Sequence, residues 1–347
     1  MRVLHLLPST FFSGAENVIC QIFDVMSSEK DLEMVYCSPD GKIRESLKQR
    51  NVPFLPLKAF RLRHIKKAIR EFKPDIIHAH DILAAFMASR ATRDIPIISH
   101  MHGNNILMRR VTYLSLIYKA AHKRLKHIFW VSKSAFEDYV FKSAVVDKSS
   151  LLYNIVNPET IVSKMRCDEN TYNYDVCYIG RLTYPKHPQR LVKVLRGVVD
   201  LKPDIKICVA GSGDMAEETM ALAKAADLDG NVDFLGFVSN PLKIINDSKV
   251  MIMTSRYEGT PMCVLEAMAL GKPIVSTPVD GLMDIIKNDI NGYLSNDDDE
   301  LARRIVSIVE DECLFERLSE GVRSTSDRIN DKNTYKNSIL EVYNRFK

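Results

Sequence analysis

No run in this sequence approaches the roughly 18 apolar residues that a membrane span needs. The opening "MRVLHLLPST" has one basic residue and an apolar run that Pro8 cuts short, so it reads as a first buried strand and not as a secretion signal. Low-complexity segments are absent, and the composition is that of a folded domain protein, 46% hydrophobic and 27% charged. The seven cysteines, Cys20, Cys37, Cys167, Cys177, Cys208, Cys263 and Cys313, are scattered. No two stand at metal-ligand or redox spacing and their number is odd, which predicts reduced thiols in a cytoplasmic protein. One further absence is local. Between Ile95 and Phe136 there is no acidic residue, although that span holds Arg109, Arg110, Lys119, Lys123, Arg124, Lys126 and Lys133.

What is present points to two domains. A chain of 347 residues exceeds one ordinary core. The net charge of +4 divides unevenly: residues 1–170 carry 26 Lys+Arg against 17 Asp+Glu, and residues 171–347 carry 22 against 27. Each half repeats one pattern, in which short apolar runs end in Gly, Ser, Pro or His and amphipathic stretches follow. The predicted strands are "RVLHLL", "MVYCS", "IIHAH", "PIISHMH" and "HIFWVS", then "DVCYIG", "KICVAG", "VDFLG", "VMIMTS" and "PIVSTP". Apolar strands alternating with helices predict an α/β fold of two doubly wound, Rossmann-like domains with parallel sheets covered on both faces. The expected domains are 1–160 and 175–326, joined by a polar stretch over 157–175. The segment 327–347, with "TYKNSILEVYNRFK", is expected as a separate helix folding back on the first domain. Such sheets bind ligands at the carboxyl ends of their strands, so two of them facing each other would form a cleft.

The stretch "SRYEGTPMCVLEAMALGKP" places Glu258 and Glu266 around a Gly259-Thr260-Pro261 turn. Thr260 suits an N-cap, Pro261 the first helical position, and Gly271 a helix stop before Pro273. The amides of Met262 and Cys263 would then face outward at a helix start, which suits a phosphate. A carboxylate accepts two hydrogen bonds side by side and so matches a vicinal diol. A phosphate site between two diol-readers describes a nucleotide-sugar. Two glutamates alone are more often a loop residue and a solvated helix face; the helix start between them shifts that balance. In "YIGRLTYPKHPQRL", Arg181 and Lys186 follow a strand end and could clamp a diphosphate, though a basic surface loop looks the same.

Other turns say less. In "LLPSTFFSGAENVIC", Ser13, Gly14 and Ala15 would let backbone approach a ligand, or form an ordinary turn. "VAGSGDMA" has the spacing of a dinucleotide fingerprint but follows the second strand of its domain, where a plain tight turn is expected. His78, His80, His100 and His102 cluster at strand ends with no acidic ligand set at zinc spacing, so no metal is expected. Hydrogen-bonded structural roles suit His78 and His100, and His102 is the candidate for a cleft-facing group.

Together these residues resemble the family-4 retaining glycosyltransferases of the GT-B fold, the group that builds bacterial surface polysaccharides. The resemblance covers about residues 2–310 and is strongest in "GRLTYPK", "LGFVSNP" and "SRYEGTPMCVLEAMALGKPIVST", which stand in family order with a Glu-x7-Glu pair at Glu258 and Glu266. It implies that Arg181 and Lys186 bind the donor diphosphate. Glu258 would read sugar hydroxyls beside Gly259 and the Thr260, Met262 and Cys263 amides, and Glu266 would hold the ribose. Val238 falls where family backbone reads the base, Gly14 where the first glycine loop meets the diphosphate, and His102 at the family's cleft histidine. Catalytic roles are implied for Glu258, His102, Arg181 and Lys186. The chain departs from the family at Ser13-Gly14, where Gly-Gly is usual, and at Asn154-Ile155, where Asn-Gly is usual.

The implied activity is transfer of a hexose-type sugar from a nucleotide-sugar, UDP-linked by family habit with a GDP-sugar left open, to a hydroxyl of a glycan or lipid-linked acceptor. It would retain configuration and need no cofactor or metal. No nucleic-acid partner is expected. The acid-free segment predicts attachment of the first domain to an anionic membrane surface, peripheral on the inner face of the cell membrane. The competing expectations are a sugar-nucleotide epimerase of similar build and a non-catalytic nucleotide-sugar-binding protein. An NAD-dependent oxidoreductase rests on the glycine turn alone.

Overall fold

The computed structural model describes residues 1–346, apart from the side chain of Asp280. The chain divides into two compact units, residues 1–155 with 331–347, and residues 156–330.

The first unit is built on seven parallel strands: β1 Arg2–Leu6, β2 Glu33–Pro39, β3 Phe54–Leu57, β4 Ile76–His80, β5 Ile97–Met101, β6 Leu125–Trp130 and β7 Ser149–Leu151. Their order is β3-β2-β1-β4-β5-β6-β7. The order reverses between β1 and β4, which is where a doubly wound sheet opens a ligand site. Every residue of β4 and β5 is buried. Because strand side chains alternate, Leu4, Leu6, Ile77 and Ala79 pack on one face with Ala84, Ala85 and Ala88 of the helix Asp81–Ala91. The opposite face carries Val3, Ile76, Ile98 and Phe129, and it is covered by Tyr335, Ile339, Val342 and Tyr343. Those four lie on the C-terminal helix Lys332–Asn344, whose Lys336 also pairs with Glu29 at 2.7 Å.

The second unit has six parallel strands: β8 Val176–Ile179, β9 Ile207–Ala210, β10 Val232–Gly236, β11 Val250–Met253, β12 Ile274–Ser276 and β13 Gly292–Leu294. They run β10-β9-β8-β11-β12-β13, so the reversal falls between β8 and β11. The loops that leave these two strands, 180–187 and 254–261, carry the cations and carboxylates singled out above.

Three strands were not anticipated: β3 "FLPL", β7 "SSL" and β13 "GYL". Each is a short edge strand containing Pro, Ser or Gly, which hides its apolar pattern. The polar stretch expected to link the domains is in part a helix, Pro158–Arg166, in the second unit. Asn157 caps it by accepting the Glu159 amide at 3.2 Å, and Pro158 takes its first position. The chain accordingly passes from one unit to the other between Ile155 and Val156, and back between Asn330 and Asp331.

Candidate active site

In the second unit two loops converge at the switch point and are tied together by several bonds. The Arg256 amide donates to the Pro185 carbonyl at 2.8 Å, and the Thr254 hydroxyl to the Lys186 carbonyl at 3.3 Å. The Arg256 guanidinium lies 4.5 Å from the centre of the Tyr184 ring. Above these contacts the Lys186 ammonium donates to Oε1 of Glu258, and the Ser255 hydroxyl donates to the same oxygen at 2.5 Å. Burial works against the Lys186 charge, yet Glu258 beside it outweighs that and holds the ammonium above its ordinary pKa. Two residues expected to serve separate parts of a ligand are thus one largely buried ion pair. Arg181 is exposed on the same loop.

A second glycine-rich turn props this loop from behind. The Leu182 amide donates to the Ser212 carbonyl at 2.9 Å, and the Met215 amide donates back to Leu182 at 3.0 Å. A Cβ on Gly211 would stand 1.8 Å from the Gly180 carbonyl oxygen, and one on Gly213 2.1 Å from that of Leu182. The glycines of "VAGSGDMA" are therefore needed for backbone to pack on backbone, as the tight-turn reading expected.

The helix after β11 runs Met262–Ala269 and its N-cap is Pro261, one residue later than the Thr260 cap expected. The residue before a proline is pushed into extended backbone, so Thr260 stays out of the helix, and its side chain is buried. Helix geometry still leaves the Met262 and Cys263 amides without an acceptor a turn earlier. Burial pushes the Cys263 thiol up to about 12. Gly271, at φ +72, closes the helix, and the Lys272 amide returns to the Ala267 carbonyl at 2.9 Å. Glu266 is in the helix interior. Burial raises its carboxyl to about 7, against the opposing pull of Lys164 on the helix Pro158–Arg166. Val238 is half-buried after β10 and packs against the same buried cluster as Met262 and Cys263. Gly259 is half-buried in the loop beside Glu258.

In the first unit the helix Gly14–Met26 begins after Ser13. The Ser13 amide and hydroxyl both donate to Oε2 of Glu16, at 2.9 and 2.6 Å. No protein atom lies within 4 Å of where a Cβ on Gly14 would stand, so the turn is open at that point, with Ala15 half-buried beside it. The His102 amide donates to Oδ1 of Asp81 at 3.1 Å. Asp81 stands at φ +68, a left-handed conformation unusual for a side-chain-bearing residue. His102 is half-buried; its ring stacks on that of His100, His78 stacks on His80, and His5 completes the cluster.

Residues 12–160 match the family described as Glycosyltransferase Family 4, and residues 166–325 the one described as Glycosyl transferases group 1. The chain belongs to the family-4 glycosyltransferases. Among its relatives is a Campylobacter jejuni N-acetylgalactosaminyltransferase acting on a diphospho-undecaprenol substrate, 26% identical, with 87% of this chain and 88% of that one covered. Another is an Escherichia coli α-1,3-galactosyltransferase named for UDP-Gal and a diphosphoundecaprenol acceptor, 22% identical over 90% of this chain and 89% of that one. Among solved structures, Anabaena HepE in complex with UDP-glucose superposes with a TM-score of 0.85 at 20% identity, covering 99% of this chain and 100% of that one. That likeness establishes the GT-B fold. The epimerase and oxidoreductase expectations give way to the glycosyltransferase family.

Four residues of this glycosyltransferase escaped the sequence reading. Ser255 and Lys164 act on the two glutamates, Asp81 holds the backbone of His102, and Gly213 seats the Arg181 loop. Ser255 was legible as the polar residue ending a buried strand, and Gly213 as the second glycine of a turn. Nothing local marks Lys164 or Asp81, because their partners are far away in sequence.

Proposed function

We propose that the protein transfers a hexose-type sugar from a UDP-sugar to a hydroxyl of a lipid-linked glycan acceptor, with retention of configuration. The reading is carried by the convergence of Arg181, Lys186, Glu258 and the Met262–Cys263 helix start at one switch point. Arg181, Lys186 and the helix amides take the diphosphate. Glu266 takes the ribose diol, backbone at Val238 the base, and Glu258 with Gly259 and Thr260 the sugar. The acceptor oxygen bonds to the anomeric carbon on the face from which the diphosphate leaves. The bond from that carbon to the β-phosphate oxygen breaks, and the leaving oxygen takes the acceptor's proton. The protein's contribution is orientation and stabilisation of the departing charge. UDP-linked donors are supported by the UDP-glucose complex of HepE, and lipid-linked acceptors by the substrates named for the two bacterial relatives. The test is incubation with UDP-sugars. UDP release that depends on an added polyprenyl-diphosphate glycan supports the reading, and interconversion of donor sugars without transfer overturns it.

We also propose that the acceptor is met at a membrane surface. No helix among the described residues is long and apolar enough to cross a membrane. The helix Tyr113–Ala121 and the turn before it do expose Ile106, Leu107, Val111, Tyr113 and Leu116, Val111 to 64% and Tyr113 to 78%. Tyr113, Leu116, Lys119 and Lys123 recur at helical spacing on exposed positions, and Arg110 and Lys126 are exposed beside them. Not every cation of the acid-free span is available. Arg109 pairs with Asp138 at 3.2 Å, and Arg124 donates to the carbonyls of Thr92 and Arg93. An apolar strip rimmed by lysines suits an anionic leaflet, each cation contributing about 1 kcal/mol. Cosedimentation with anionic vesicles but not neutral ones, weakened by salt and lost in Arg110→Gln/Lys123→Gln/Lys126→Gln, is expected; equal pelleting with both vesicle types would leave a soluble acceptor as the better reading.

A further inference from the structure

Five histidines occupy the first sheet at its switch point: His5 on β1, His78 and His80 on β4, His100 on β5 and His102 just after it. Three of them are joined edge to edge. Nδ1 of His5 lies 3.0 Å from Nε2 of His80, and Nδ1 of His80 lies 2.7 Å from Nε2 of His102. The ring planes in these pairs are within 21° and 19° of parallel and the ring centres 5.3 and 5.0 Å apart, a separation that with these nitrogen distances sets the rings side by side and not face to face. We infer that His5, His80 and His102 form a directional chain of hydrogen-bonded imidazoles that presents His102 with its proton on Nδ1. His5 and His80 are positioning residues that fix which nitrogen of His102 carries its proton. The expected effect on activity rests on the transferase reading; the arrangement of protons does not.

A metal is the rival. Ring nitrogens of His5, His78 and His80, and of His80, His100 and His102, lie within 4.8 Å of one another. Ligands of one ion, however, must aim their lone pairs at a shared point about 2 Å from each nitrogen. In this cluster the nitrogens of successive rings aim at each other across hydrogen-bond distances.

Burial keeps the rings neutral, lowering His5 to about 3 and His80 well below its ordinary value, while for His102 burial also dominates over the carboxylates that oppose it. A neutral imidazole has one N–H. Three rings hold three, two junctions use two, and the third must stand at one end, on Nε2 of His5 or Nδ1 of His102. Both of these end atoms are buried and unpartnered. The surrounding charges choose between them. From the helix Gly14–Met26 comes Glu16 and from the helix Asp81–Ala91 comes Asp81, and both act on His102. His5 feels burial alone. The remaining neighbours are uncharged: His78 and His100, both neutral through burial, and Tyr343 of the C-terminal helix, 2.7 Å from Nδ1 of His78. A polar N–H end is stabilised beside carboxylates. So His5 Nδ1–H donates to His80, His80 Nδ1–H donates to His102, and Nδ1–H of His102 is left to donate.

Long-range proton–nitrogen correlation on the full chain labelled with 15N-histidine reads this directly. Protons on Nδ1 of all three rings are expected, with nitrogen–nitrogen coupling across both junctions, and the His80→Phe variant should lose both couplings. That variant should lower kcat on the order of ten-fold while the donor KM changes by less than about two-fold. His102→Asn, whose amide N–H falls near the Nδ1 position, should keep more activity than His102→Gln. A proton on Nε2 of His102, absent couplings, or stoichiometric uptake of zinc or nickel that abolishes the couplings would overturn the inference. The wild-type spectrum decides even if a variant fails to fold. Tautomers as stated in a protein without transferase activity would leave the imidazole chain standing and sink the transferase reading instead.

Discussion

The two units repeat one topology, yet their switch points are furnished with opposite chemistry. At the first, between β1 and β4, imidazoles are buried and neutral. At the second, between β8 and β11, an ammonium and a carboxylate are buried as a pair, with an exposed guanidinium beside them. A fold that delivers loops to one place does not decide what those loops do. The second site is suited to meeting charge, and the first to orienting a neutral group. Whether the contrast is functional can be tested by disturbing each side in turn.

The largest effect should come from splitting the charged pair. Glu258→Ala should lower kcat on the order of a hundred-fold or more, because Lys186 loses the partner that aims it and, on the proposed reading, the sugar loses its reader. Lys186→Ala should weaken UDP and the UDP-sugar alike and leave uridine binding unchanged. Removing one partner of a buried pair also destabilises, by roughly 3–5 kcal/mol. The double variant Lys186→Met/Glu258→Gln should recover much of that stability and none of the activity, as urea denaturation and initial rates would show. Full activity in both single variants would remove the second site from the chemistry.

Gly213→Ala comes next. Its new methyl would fall 2.1 Å from the Leu182 carbonyl oxygen, so the loop carrying Arg181 must shift. We expect UDP affinity to fall about ten-fold or more, since small misplacement of a positioned group is costly. Gly14→Ala meets no protein atom within 4 Å, so thermal stability should be unchanged. Calorimetry with UDP separates a blocked ligand from a disturbed fold.

Glu266 offers a smaller, pH-dependent contrast. Its carboxyl is raised to about 7 in the folded chain, whereas in the unfolded chain it titrates near 4.5. The folded state therefore holds this proton longer, and stability falls as pH rises from the lower value to the upper, then levels off. Glu266→Gln should melt higher than wild type at pH 8 and alike at pH 4. On the proposed reading, the ribose diol is held by the carboxylate form. Donor KM in wild type should thus rise as pH falls through 7, and the variant should show a raised, pH-independent KM. A melting difference that persists unchanged at pH 4 would mean Glu266 is not the titrating group.

Much of this was legible in the residues. The strand ends could be read because parallel strands buried on both faces leave apolar runs that stop abruptly at Gly180, His80 or Ser255. The Glu258–Glu266 spacing survived because it lies within one loop and helix. The pairing of Lys186 with Glu258 was not legible: it joins loops far apart in the chain, and each residue alone looks like a ligand group. The imidazole chain was hidden for the same reason, since β1, β4 and β5 are neighbours only after the crossovers are made. Edge strands such as "SSL" carry too few apolar residues to announce themselves.

The smallest expected effect is none. A divalent ion at the diphosphate would need a carboxylate open to it. Glu258, the acid in that loop, already accepts from both Lys186 and Ser255 on one oxygen. Glu266 is held toward its protonated form by burial, and a protonated carboxyl is a poor ligand. Arg181 and Lys186 also bring positive charge where a cation would sit. Transfer rates should therefore be unchanged by EDTA and by added magnesium or manganese. At the first unit's cluster, successive imidazoles aim at each other and not at a shared point, so micromolar zinc should leave the rate unchanged as well. Inhibition by micromolar zinc that EDTA reverses, without loss of UDP binding, would locate metal sensitivity in the histidines alone. Loss of activity on chelation, restored by magnesium and accompanied by weaker UDP binding, would place a metal at the charged switch point and erase the contrast drawn between the two sites.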